Sequence, residues 1–155
     1  FGKLGEVRRD PMAMLPFCGY NMADYFRHWL NMGKKMNKAP KIFHVNWFRA
    51  NQKGEFLWPG FTENLRVLEW ILDRCNNKVE GFKTPIGYVP YPADIDMTGL
   101  SLSGGTLEKL LEVRKADWLT ELKAIKEFFK QFKKELPAEL WQEYEALRER
   151  LKSYE

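Results

Sequence analysis

The densest chemistry in the sequence lies between residues 44 and 70, HVNWFRANQKGEFLWPGFTENLRVLEW. Trp47, Phe48, Phe56, Trp58 and Phe61 fall within 15 residues, around a turn and directly before a predicted helix N-terminus. A strand alternates its side chains between two faces, so Trp47 turned inward sends Phe48 outward, and Leu57 opposes Phe56 and Trp58 in the same way. Some rings are therefore left over for a flat ligand. Asn64, in the first turn of the following helix, adds one acceptor and two donors beside them. Aromatic faces with an amide at their rim are equipment for stacking a purine and reading its edge. The same residues also suit a mini-core closed around the turn.

The elements that must position these groups are legible as patterns. Lys41 to Trp47 alternates, with Phe43, Val45 and Trp47 on one face, and Asn51–Gly54 is a turn leading into Phe56–Trp58, which predicts a β-hairpin. Thr62 is a candidate N-cap for a helix running to about Cys75, with Leu65, Leu68, Ile71 and Leu72 as its apolar stripe and Asn76-Asn77 as its end. Upstream, Met22, Tyr25, Phe26, Trp29 and Leu30 follow helical spacing, with Asn21 as N-cap and Gly33 as stop. Before them, DPMAMLPFCGY holds two prolines and a glycine among apolar side chains, the composition of an ordered loop that covers something.

Ile86–Val89 reads as a short strand between turn-rich segments. The last fifty residues read as helical. Leu107, Leu110 and Leu111 mark a short helix, and Trp118, Leu122, Ile125, Phe129 and Phe132 a longer one ended by Pro137. Leu140, Tyr144, Leu147 and Leu151 then give a 4-3-4 spacing, so the last two helices should pack as an antiparallel pair. The fold class expected is α/β, a mixed α+β fragment: loop, helix, antiparallel hairpin, helix, short strand and C-terminal helices. At 155 residues and 18.4 kDa the chain has room for one domain.

Charge is unevenly placed. Residues 1–54 carry ten Lys/Arg against three Asp/Glu, residues 55–105 four against seven, and the remainder balances at eleven each. A basic first third suits an anionic ligand and equally a solvated face. Ser103-Gly104-Gly105-Thr106 lacks the lysine and spacing of a phosphate loop and reads as a turn starting a helix. Cys18, Cys75, His28 and His44 form no close ligand pair, so no metal site and no nucleophile–base pair is expected within this chain. Two widely separated cysteines, no apolar run long enough to span a bilayer and no signal peptide point to the cytoplasm and away from membranes. The chain begins at Phe1, in mid-phrase, and a fragment of a longer protein is expected.

PKIFHVNWFRANQKGEFLWPGFTENLRVLEW resembles the guanine-binding segment of the GTP-dependent phosphoenolpyruvate carboxykinases. DPMAMLPFCGYN, followed by a helix containing HWL, resembles that family's mobile active-site lid, and TPIGYVP adds a third match in the expected order. The likeness runs from about Asp10 to Pro90 and departs at Leu15, where many relatives carry arginine, and at Cys18, where a second aromatic is common. It implies that oxaloacetate and GTP give phosphoenolpyruvate, GDP and carbon dioxide, as in gluconeogenesis, with GTP/GDP as substrate and a divalent metal, Mn or Mg. Guanine would lie between Phe48 and Phe61 with Phe56 nearby, Asn64 at its edge, and Thr62 and Glu63 lining the turn. The lid would comprise Asp10, Pro11, Met12, Ala13, Met14, Leu15, Pro16, Phe17, Cys18, Gly19 and Tyr20.

On this resemblance residues 1–20 are the lid region, 21–105 the guanine-nucleotide-binding segment and 106–155 a helical C-terminal region without assigned role. The family's metal ligands, phosphate loop and oxaloacetate-binding arginines lie upstream of this segment, so no catalytic residue and no metal ligand is assigned here and the piece alone should be inactive. Partners expected are guanine nucleotide and, in the intact enzyme, oxaloacetate or phosphoenolpyruvate, with neither nucleic acid nor membrane. Two other classes stay open: a free-standing basic module that stacks RNA bases, and an interaction module using the terminal helices. Salt-sensitive, sequence-tolerant RNA binding would mark the first, and guanine-over-adenine preference the enzyme.

Overall fold

The computed structural model describes residues 8–154, which group into two compact units. One joins residues 8–39 to 114–154, and the other is Pro40–Val113. The architecture is mixed helix and antiparallel β-hairpin, in the expected fold class.

In the first unit, two 3-10 turns, Pro11–Ala13 and Leu15–Phe17, lead into α1, Met22–Lys35. Asn21 caps α1 by accepting the Ala23 N–H at 2.9 Å. Gly33 does not stop the helix, which continues two residues further with its last turn bearing Lys34 and Lys35. Cations there oppose the negative end of the helix dipole and extend it past the glycine.

α1 buries Met22, Ala23 and Phe26 against Phe132 and Leu136, and the loop residues Met14 and Cys18 pack on the same cluster. Leu122, Tyr144 and Leu151 form a second cluster, with Trp118, Ile125 and Leu147 around it. The 4-3-4 stripe is therefore a true core stripe. Lys34 pairs with Glu139 at 2.7 Å, and Arg27 donates to the Glu135 carbonyl at 2.9 Å, fastening α1 to the C-terminal segment.

The second unit begins with an extended stretch in which Phe43, Val45 and Trp47 are half-buried and Ile42, His44 and Asn46 exposed. The alternation is as read, but the expected hairpin shrinks to one bridge, Ala50 with Phe56. A 3-10 turn, Phe61–Glu63, precedes α2, Asn64–Cys75, so Thr62 is no N-cap: its hydroxyl reaches the Glu63 carboxylate instead, at 3.4 Å.

The apolar stripe of α2 is also corrected. Leu65, Leu68 and Leu72 are exposed, while Trp70 is buried and meets Phe43 edge-on at 6.1 Å between centroids. One indole buries more area than a leucine and sets which face turns inward. Lys41 Nζ donates to the Arg74 carbonyl and Asn77 Oδ1, closing the end of α2.

The antiparallel pair lies downstream, as β1, Phe82–Thr84, and β2, Gly87–Val89, with Phe82 opposite Val89 and Thr84 opposite Gly87. The sequence reading had only its second strand. Ser103 to Thr106 starts α3, Thr106–Leu111, as expected.

α4, Lys115–Lys130, ends well before Pro137, in a turn where Lys133 takes φ +49°, and α5, Ala138–Lys152, follows. Lys115 Nζ donates to the carbonyls of Lys152 and Tyr154, so the start of α4 lies by the end of α5 and the pair is antiparallel. Among the described residues no helix is long and apolar enough to cross a membrane.

Candidate functional site

Phe48 sits on a turn that its own neighbours lock. Asn46 Oδ1 accepts the Phe48 N–H at 3.0 Å, and the Arg49 carbonyl accepts the Leu57 N–H at 2.8 Å. Arg49 Nη1 donates to the carbonyls of Leu110 and Glu112 at 3.1 and 3.0 Å, tying this backbone to the end of α3. Between the two arms, Asn51 Oδ1 accepts from the N–H groups of Lys53 and Glu55, and Gly54 takes the φ of +81° that closes the turn.

The bridge of Ala50 with Phe56 brings the rings of Phe48 and Phe56 together, 5.7 Å between centroids and tilted by 60°. Both are mostly exposed, at 70% and 64%. Trp58, two residues beyond Phe56, is only 6% exposed. Strand alternation would put Phe56 and Trp58 on one face, but the chain bends at Leu57–Trp58 and turns the indole inward.

Gly60, at φ +78°, then reverses the chain into Phe61, which itself holds φ +47° and is 93% exposed. An L-residue in the left-handed region costs on the order of 1–2 kcal/mol, and here the cost is borne by a large apolar ring held out in water. Its ring touches no other aromatic among the described residues, so Phe48 and Phe61 are not stacked on one another. Phe61 thus joins a strained backbone to an unburied ring.

Asn64 opens α2 half-buried. Trp58 Nε1–H donates to its Oδ1 at 2.9 Å, so the amide's acceptor is taken and its Nδ2 group donates to no described residue. Glu63 is held by Arg66, whose guanidinium also donates to the carbonyls of Asp96 and Thr98. That clamp neutralises the Glu63 carboxylate beside the exposed rings and ties the start of α2 to the backbone at Asp96 and Thr98. Thr62 is exposed with its hydroxyl turned to Glu63.

The sequence reading singled out the rings and the amide and did not include Arg49, Arg66 or the indole partner of Asn64, which hold the surrounding backbone and the amide in place. The spacing of Glu63 and Arg66 at i, i+3 was the one available signal.

The segment from Asp10 to Tyr20 is organised around one carboxylate. Asp10 is buried, accepts from Arg8 Nε at 3.2 Å and Nη2 at 2.8 Å, and accepts the Leu15 N–H at 2.7 Å. The Arg8 hydrogen bond is the chief reason its pKa lies below the ordinary carboxylate value; burial opposes this and the Leu15 amide assists it. A folded pKa below the unfolded one means that the unfolded loop takes up the proton first. The stabilisation is therefore whole above the ordinary carboxylate pKa of about 4 and is lost as pH falls through the depressed value. Hydrogen exchange at Leu15, corrected for intrinsic rates, should lose protection across that acid range, and an Asp10→Asn variant should show no such step.

Pro11, Pro16, Met12, Leu15, Phe17, Gly19 and Tyr20 are exposed, and Met14 and Cys18 reach the α1 cluster. Arg9 pairs with Glu121 of α4 at 3.0 Å. Thus the C-terminal helices, left without a role in the sequence analysis, form the footing of this loop. Met12 and Ala13 both hold positive φ, +53° and +55°.

Among the described residues no three His, Cys, Asp or Glu side chains come together in a way that could hold a metal ion.

Residues 1–150 match the family described as the phosphoenolpyruvate carboxykinase C-terminal P-loop domain. The chain is 48% identical over 152 residues to phosphoenolpyruvate carboxykinase (GTP) of Paenarthrobacter aurescens, 45% over 150 to that of Thermoplasma volcanium, and 47% over 152 to that of Chlamydia muridarum. Each match takes in 97% of this chain and 25% of the relative, so the chain spans about a quarter of the length of the curated relatives it matches. This chain belongs to the GTP-dependent phosphoenolpyruvate carboxykinase family and corresponds to a C-terminal part of it.

Proposed function

We propose that this chain supplies the guanine-base subsite and the lid of a GTP-dependent phosphoenolpyruvate carboxykinase, in which oxaloacetate and GTP give phosphoenolpyruvate, GDP and carbon dioxide. The observation that carries the reading is the trio of exposed rings, Phe48, Phe56 and Phe61, ahead of an amide whose donor end is unengaged. Phe48 and Phe61 would stack on the two faces of the base, Phe56 would back Phe48, Asn64 would read the edge, and Thr62 and Glu63 would line the turn. The phosphate loop, the oxaloacetate site and the divalent metal, Mn or Mg, are assigned to the upstream part of the full-length enzyme. A reducing, cytoplasmic setting and a gluconeogenic role belong to the same proposal, the former supported by the unpaired thiols Cys18 and Cys75.

Guanine carries an acceptor at O6 and a donor at N1, where adenine carries a donor and an acceptor. A fixed partner tuned to one is mispaired with the other, and each mispaired buried group costs about 1–3 kcal/mol. Asn64→Ala in the full-length protein should therefore cut GDP affinity roughly tenfold and ADP affinity little, with the melting temperature unchanged. Calorimetric titration with both nucleotides reads this directly; unaltered base preference would count against Asn64. Tight RNA binding that falls steeply with salt, with no guanine preference, would favour the nucleic-acid reading.

Asp10–Tyr20 is the lid in this proposal. Decarboxylation leaves an enolate that water would protonate to pyruvate, so excluding solvent favours phosphoryl transfer. Ala13, small and central, is the sensitive position, and the natural test, Ala13→Gly, has to be replaced. At φ +55° glycine fits better than alanine by about 1–2 kcal/mol, which offsets the ~0.4–1 kcal/mol of added chain entropy. Ala13→Val is the sharper change, because a β-branched residue is excluded from that backbone region. The variant should raise the pyruvate fraction of the product, and an unaltered product ratio would remove Ala13 from the lid's working parts.

A further inference from the structure

An indole N–H can only donate, so the atom of Asn64 lying 2.9 Å from Trp58 Nε1 is the amide oxygen and the NH2 group is turned the other way. Trp58 is almost wholly buried and Gly60 reverses the chain between the two residues, so the indole is fixed where its N–H holds the amide oxygen of Asn64. An asparagine without such a partner can flip and present either its acceptor or its donors, and it then accepts adenine and guanine rims alike.

We infer that Trp58 is a positioning residue for base selectivity: its indole N–H locks Asn64 with the donor end outward, so that the amide donates to O6 of guanine and repels the 6-amino group of adenine. This rests on the base-subsite reading above and adds to it which end of the amide works and what holds it there. Trp58 need not touch the nucleotide. It acts through Asn64 alone, and so should control which base is bound while leaving stacking intact.

The test uses the full-length protein and calorimetric titration with GDP, IDP and ADP. IDP keeps O6 and N1–H but lacks the 2-amino group, so a contact to O6 makes it follow GDP. Trp58→Phe keeps an aromatic ring and removes the N–H; it should lower the GDP-to-ADP affinity ratio roughly tenfold, with IDP falling in step with GDP. In an Asn64→Ala background the same change should have no further effect on the ratio. Equal weakening of GDP and ADP would mean that Trp58 is merely structural and would overturn the inference.

Asn64→Asp guards against a Trp58 variant that does not fold, since an acidic residue suits the first turn of α2. With Trp58 still holding one oxygen, the other confronts O6, so GDP should weaken more than in Asn64→Ala while ADP strengthens. Retained guanine preference in Asn64→Asp would show that the amide reads N1–H with its oxygen, and the lock would be wrong. An unchanged ratio in Trp58→Phe beside a collapsed one in Asn64→Ala would overturn the lock and leave the base subsite standing. An unchanged ratio in Asn64→Ala would overturn both.

Discussion

Replacing Phe61 by alanine in the full-length protein is expected to weaken GDP binding by about 1–3 kcal/mol, roughly 5- to 150-fold, with no loss of thermal stability. Both halves of that result follow from one observation: the ring is 93% exposed, so its removal takes little apolar area out of the fold. A left-handed backbone at φ +47° is also easier for a smaller side chain to hold, which favours the variant if anything. The loss should extend to ADP, because every base has a π-face and stacking does not distinguish them. On the proposed base subsite, Phe61 would set affinity and Asn64 preference. Equilibrium titration of the two nucleotides separates these roles, and a variant that loses stability but not affinity would return Phe61 to the category of packing.

The second large effect belongs to the other unit. Met22 is 1% exposed at the head of α1, in the cluster that also receives Met14 and Cys18 from the loop before it. Truncating it to alanine leaves a cavity that its neighbours cannot fill, at a cost of about 2–5 kcal/mol. Hydrogen exchange of the α1 amides in the full-length protein should report that loss. If the loop is the proposed lid, the pyruvate fraction should rise as well, because Met14 and Cys18 of the loop pack on the same cluster. Normal protection of α1 in Met22→Ala would show that the footing of the loop lies elsewhere. Met22→Leu, close in volume, should restore most of the protection.

Much of this arrangement is readable from residue spacing, and the failures share a cause. The alternation of Phe43, Val45 and Trp47 survives as alternating burial even though no strand among the described residues pairs with it, because the period belongs to the extended backbone itself. The 3.6-residue period likewise placed α1, α2 and α5. What a period cannot say is which face meets a partner. Leu65, Leu68 and Leu72 line one side of α2 and remain exposed, while Trp70 on another side is buried against Phe43.

Position-specific backbone events were the other blind spot. The bend at Leu57–Trp58 separates two aromatics that alternation had placed together, and Gly60 carries the chain back so that residues 58 and 64 meet. The β1–β2 hairpin was half seen, although Thr84-Pro85-Ile86-Gly87 between Phe82 and Tyr88 carries turn chemistry, with Thr84 Oγ1 donating to the Gly87 carbonyl at 2.8 Å. The footing of the loop on the C-terminal helices needed long-range pairing, Arg9 with Glu121 and α1 with Phe132 and Leu136, for which no sequence period exists.

The most direct measurement is a crystal structure of the full-length protein with GDP bound. It should place the guanine between the rings of Phe48 and Phe61, with Asn64 Nδ2 within hydrogen-bonding distance of O6 and the Trp58 indole still on Oδ1. A base bound elsewhere, with those two rings left facing solvent, would contradict the account at its root.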